Sequence, residues 1–97
     1  MPKKTPVKNK TAAKVTFEVR EEANAVHLAG DFNGWSPSAT PMAKRKDGRF
    51  SATITLPQGK EYRYRYVVDG DRWTNDPNAD RYEPNFHGSD DCIIDLT

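Results

Sequence analysis

Two tryptophans stand where this chain has little core to hide them. Trp35 lies inside GDFNGWSP, residues 30–37, and Trp73 follows directly on VDGDR, residues 68–72. Most of the first string is Gly, Asp, Asn, Ser or Pro, the usual residues of turns. An indole held on such a loop offers a flat, poorly hydrated face. That face suits the C–H face of a sugar ring or the π-face of a nucleobase, since both lose apolar area to water on contact. The opposing use is structural: either ring can cap the end of a small core.

Other chemistries find less support. Two His and one Cys supply no zinc spacing, and His27 stands far from His87. Paired carboxylates can hydrolyse a glycoside. Here, however, Asp69/Asp71 and Asp90–Asp91 fall in turn-like segments, where Asp is at home. No phosphate-binding Gly-rich loop, GxSxG elbow or Cys–His pair in context occurs. No catalytic residue, metal or cofactor is expected.

The elements that must carry the indoles read as strands. VTFEVR (15–20), AVHLAG (25–30), RFSATITL (49–56), EYRYRYVV (61–68) and CIIDL (92–96) alternate apolar and polar positions. That alternation, rich in β-branched and aromatic residues, is the half-buried strand signal. Turn clusters separate the runs, the longest being DPNADRYEPNFHGSD. The expectation is an all-β, immunoglobulin-like antiparallel β-sandwich over residues 15–97. One domain of 97 residues with 35% hydrophobic content has a small core and a thin stability margin.

The formal charge of +1 conceals an asymmetry. Residues 1–14 carry five Lys and no acid, whereas 15–97 carry a net −4. Residues 1–14 read as a disordered basic tail, giving at most weak, salt-sensitive nucleic-acid binding. No run of about 18 apolar residues spans a membrane, and no apolar segment follows the basic N-terminus as in a secretory signal. With a single Cys, the expectation is a cytoplasmic protein.

The turn after EYRYRYVV decides what Trp73 can do. A two-residue turn would place Trp73 opposite Tyr66, among the tyrosines. A three-residue loop at Val68–Asp69–Gly70, with Gly70 left-handed, would place it opposite Arg65 on the other face. The second arrangement is expected, with Tyr62, Tyr64 and Tyr66 inward and their hydroxyls at the rim.

Three blocks in order, GDFNGWSP, DGRFSATITLPQGKEYRYRYVVDGDRWTNDP and GSDDCIIDL, resemble a family 48 carbohydrate-binding module. This family includes the glycogen-binding domain of AMP-activated kinase β subunits and the N-domain of isoamylases and branching enzymes. The resemblance covers residues 15–97 and implies the same sandwich fold. It implies that Trp35 and Trp73 stack on α-1,4-glucan rings. Arg65 stands where the family has a sugar-bonding lysine, and Asp91 where it has an asparagine. His87 stands in place of a leucine that some members thread through a glucan ring, and Ser89 in place of a threonine. Asp91 and His87 depart from the pattern in ways that bear on affinity and ring-size preference. The implied function is non-catalytic binding of glycogen, starch or maltooligosaccharide, tethering a partner such as a glycogen-metabolism enzyme or kinase. A lone module of this kind works in trans or as a piece of something larger. The alternative is a protein–protein interaction domain of the same fold with a decayed sugar site.

Overall fold

The computed structural model describes residues 3–6, 12–85 and 88–97. Among them the strands are β1 (Lys3–Pro6), β2 (Ala12–Arg20), β3 (Val26–Gly30), β4 (Ala43–Lys44), β5 (Arg49–Pro57), β6 (Glu61–Val68), β7 (Arg72–Thr74), β8 (Arg81–Pro84) and β9 (Asp90–Asp95), with a 3-10 turn at Asp31–Asn33. They form two antiparallel sheets. One runs β1–β2–β5–β4; the other runs β3–β6–β9–β8, with β7 also paired to β6.

The alternation seen in the sequence sets the inner faces. Val15, Phe17 and Val19 pair with Ile54, Ala52 and Phe50, so the apolar side chains of β2 and β5 point one way. Facing them are Val26, Leu28, Tyr62, Tyr64, Tyr66, Val68, Cys92 and Ile94, all buried. Phe17 of one sheet meets Tyr64 of the other edge-on, with ring centroids 4.9 Å apart. This is the expected antiparallel sandwich.

The tyrosine rings point inward as expected, but two hydroxyls do not reach the rim. Tyr64 and Tyr66 both donate to Oδ2 of Asp76, at 2.8 and 3.1 Å. Asp76 is 2% exposed. Its other oxygen accepts the Asn78 amide, and its own amide points at Cys92 Sγ. Burial, then the neighbouring phenol and carboxylate for Tyr64 and the carboxylate for Tyr66, push both phenols far above the ordinary tyrosine value. Burial likewise pushes the Cys92 thiol up to about 11. A phenol that stays neutral can donate, so the inner face holds one carboxylate through two neutral donors.

Two boundaries differ from expectation. Lys3–Pro6, assigned to a disordered tail, pair with residues 13–16, and β2 begins at Ala12 rather than at residue 15. Backbone pairing orders the segment, and an ion pair across the sandwich ties it down: Lys4 Nζ reaches Asp80 Oδ2 at 2.6 Å and the Asp95 carbonyl at 2.9 Å. Within the segment read as one long turn, Arg81–Pro84 form β8 on the edge of β9.

Candidate functional site

The outer face of the second sheet carries its own buried stripe. Ala29, Val67 and Ile93 are almost fully buried, yet they alternate with the inward residues and lie away from the core cluster. In register, Val67 is flanked by His27 on β3 and Trp73 on β7, and Ile93 by Arg63 and Arg81. Long side chains must therefore roof this stripe, and Trp73 is one of them. Trp73, on the same face as Val67 and directly opposite it, is 37% exposed.

The β6–β7 hairpin differs by one residue from the expected loop. Val68 pairs with Arg72 and Val67 with Trp73, so the loop is Asp69–Gly70–Asp71. Asp69 and Gly70 both take positive φ, 52° and 84°, as the left-handed pair of a type I′ turn requires. Asp69 Oδ1 accepts the amides of Asn24 and Ala25, and its own amide donates to the Ala25 carbonyl. These bonds to the β2–β3 loop take Asp69 into the turn and leave Val68 in the strand. Because the shift is two residues in the pairing sum, Trp73 stays on the Arg65 face. Its direct neighbour is Val67, and Arg65 lies diagonally.

Trp35 is positioned by the turn that precedes it. Asn33 Oδ1 accepts the Gly30 amide, and its Nδ2 donates to the Leu28 carbonyl and Thr40 Oγ1. Gly30 itself is demanded by close approach: a Cβ there would lie 2.5 Å from the Arg63 carbonyl oxygen. Gly34 turns left-handed, and Trp35 follows with φ 59°. A bulky residue in that region costs on the order of 1–3 kcal/mol and persists where the surroundings enforce it. Here the Trp35 amide donates to the Gly30 carbonyl at 3.0 Å, and its indole Nε1 donates to Asp31 Oδ1 at 3.1 Å. Asp31 Oδ2 accepts the Arg63 amide of β6 at 2.9 Å. One carboxylate thus fixes the indole edge to the sheet and leaves the ring faces for packing. Trp35 is half-buried. Through Asp31, Trp35 is tied to β6 at Arg63, and Trp73 pairs with Val67 of the same strand, four residues further on, about 13 Å of strand.

Between those levels lies Arg65, half-buried, with Nε donating to Asn75 Oδ1 at 2.8 Å and Nη2 close to the Trp73 carbonyl at 3.5 Å. Asp91 is 6% exposed and stands in strand β9 rather than in a turn. Its oxygens accept from Arg63 Nη1 at 3.2 Å and Asn85 Nδ2 at 3.0 Å. Arg63 also pairs with Glu83 at 3.0 Å. Ser89 is exposed, in a turn closed by the Asn85 amide donating to its carbonyl. His87 lies outside the described residues. Arg63 and Asn75 carry no sequence signal as site residues. They emerge only once the register of β6, β7 and β9 is fixed.

The family profile described as "Glycogen recognition site of AMP-activated protein kinase" matches residues 13–96. A glucoamylase of Neurospora crassa is 35% identical over 74 residues, covering 67% of this chain and 12% of the relative. An amylopullulanase of Thermoanaerobacterium thermosulfurigenes is 35% identical over 66 residues, covering 60% of this chain and 4% of the relative. The chain thus spans a small part of either enzyme. The match over nearly the whole sandwich, indole loop and hairpin included, places this chain in the family of glycogen recognition modules.

Proposed function

We propose that this module binds α-1,4-glucan by stacking sugar rings on Trp35 and Trp73, with Arg65 donating hydrogen bonds to hydroxyls between them. The observation that carries the reading is the pinning of Trp35, through Asp31, to the same strand that carries Arg65 and borders Trp73. Binding is non-catalytic and tethers whatever the module is joined to, or meets in trans, onto glycogen- or starch-like polysaccharide. The relatives are named as glucan-acting enzymes of which the matching stretch is a small fraction, which supports a tethering role. Ser89, exposed in the turn that leads into β9, is a further candidate contact for the bound chain; the family resemblance alone nominates His87. Asp91 acts indirectly, holding Arg63, because both its oxygens are engaged.

Two rings and a few half-exposed polar groups support an affinity of about micromolar to millimolar. Retention on glycogen but not on cellulose tests the claim; equal retention on both would defeat the α-glucan assignment. The sequestered Asp91 favours one second reading, a protein-interaction domain with a decayed sugar site. Absence of retention on glycogen would select it.

A further inference from the structure

We infer that Asn75 is a positioning residue, one that turns Arg65 into a two-pronged donor for adjacent hydroxyls of a sugar ring; this rests on the glucan reading above. The inference starts from the chain at residues 75–76. Asp76 is locked in the core by Tyr64, Tyr66, the Asn78 amide and Cys92. The backbone just before it is therefore fixed, and Asn75 is delivered to the outer face beside Arg65. Its amide bridges two elements: Oδ1 accepts from Arg65 Nε at 2.8 Å, and Nδ2 donates to the Asp90 carbonyl at the start of β9 at 3.0 Å. The opposite amide orientation would set donor against donor and acceptor against acceptor, so the network admits a single assignment.

The consequence lies in guanidinium geometry. A guanidinium is a planar fork of five donors in fixed relation. Binding the Nε–H at Asn75 fixes the plane and turns the Nη edge away from Asn75. Nη2 makes only a long contact to the Trp73 carbonyl. The Nη edge therefore remains for two neighbouring acceptors, which vicinal ring hydroxyls provide. A lysine at this position has one rotatable ammonium and no Nε–H for Asn75 to hold. Asn75 thus sets the plane of a two-pronged donor only while residue 65 is arginine, its bond to the Asp90 carbonyl being common to both backgrounds.

A double-mutant cycle reads this dependence. With maltoheptaose as probe, Asn75→Ala should weaken binding by about 3- to 10-fold, the range for one lost hydrogen bond. In an Arg65→Lys background the same change should have no further effect. An equal loss in both backgrounds, or no loss in either, would overturn the inference. A second arm needs no sugar. The ¹⁵N-edited signal of Arg65 Nε–H should exchange slowly with solvent in the native protein and rapidly in Asn75→Ala. Fast exchange in the native protein would refute the positioning role by itself. Slow, Asn75-dependent exchange with no maltoheptaose binding would uphold the positioning role and reject the glucan reading instead.

Discussion

Trp35 and Trp73 are held in opposite ways. Trp35 sits on a turn and is over-determined. Its backbone is left-handed, its amide and indole N–H are both bonded, and the turn itself is stapled to β3 by Asn33. Trp73 sits in the middle of a three-residue strand, with its ring against Val67 and no hydrogen bond from its indole among the described residues. Trp35 is thus held at both its backbone and its ring edge, whereas the Trp73 indole is held by its strand pairing alone among the interactions of the described residues. On the proposed reading, the firmly held Trp35 would set where a bound glucan chain starts, and Trp73 would accommodate the rest.

The sharpest contrast to draw is between these rings and the core beneath them. Removing Asp76 takes the acceptor from the buried Tyr64 hydroxyl and leaves Tyr66 only a long contact to the Glu18 carbonyl, at about 1–3 kcal/mol for each buried donor left unpaired. Asp76→Ala should therefore lower Tm by more than about 10 °C in a domain of this size. A melt close to that of the native protein would show that the inner face does not depend on this carboxylate. Trp35→Ala and Trp73→Ala should behave in reverse. Each should lose most binding, about 1–3 kcal/mol if sugar stacking resembles base stacking. Both should stay folded by circular dichroism, with Trp73→Ala the more destabilised because it uncovers Val67. A fully buried Trp would instead cost about 3–5 kcal/mol of stability.

Asp31→Ala separates the two platforms from each other. It frees the Trp35 indole, releases the Arg63 amide as well, and leaves Trp73 untouched. Isothermal titration should show affinity falling several-fold, by about 0.5–1.5 kcal/mol for one hydrogen bond. An unchanged affinity would mean that pinning of Trp35 is irrelevant to binding.

The smallest effect, absent at neutral pH, appears on alkalinisation. Tyr64, Tyr66 and Cys92 have folded-state values raised by burial, so the unfolded chain releases their protons first. Their stabilising contribution is complete below pH 9. It declines from 9.0 for Cys92, levelling off near 11, and from 10.0 upward for the tyrosines. Melts between pH 8 and 11 should show Tm falling, with tyrosinate absorbance rising in step with unfolding. Tyrosinate signal from all four tyrosines in a fully folded protein would contradict the buried network.

Much of this architecture is legible in the sequence, because strands 15–20, 26–30, 49–56 and 61–68 are half-buried and carry period-two alternation. What is illegible depends on contacts far apart in the chain. The edge strand Arg81–Pro84 reads as a turn because it has no buried residue to mark an inner face and ends in Pro. Lys3–Pro6 read as solvated tail because Lys4 finds Asp80 only after folding. The face of Trp73 is correct from the sequence and its exact partner is not, since Asp69 bonds to the β2–β3 loop. Asp91 illustrates the same limit at the site: its chemistry suits a ligand, but Arg63 and Asn85 claim it first.

The chain contains two tryptophans, so Trp35→Phe and Trp73→Phe each leave a single indole as reporter. Titrating both variants with maltoheptaose and following the fluorescence tests directly whether the two rings share one ligand. Each remaining indole should show a saturable change, with midpoints in the roughly micromolar to millimolar range. No response from either indole up to saturating sugar, or a response from one ring with the other silent, would contradict it.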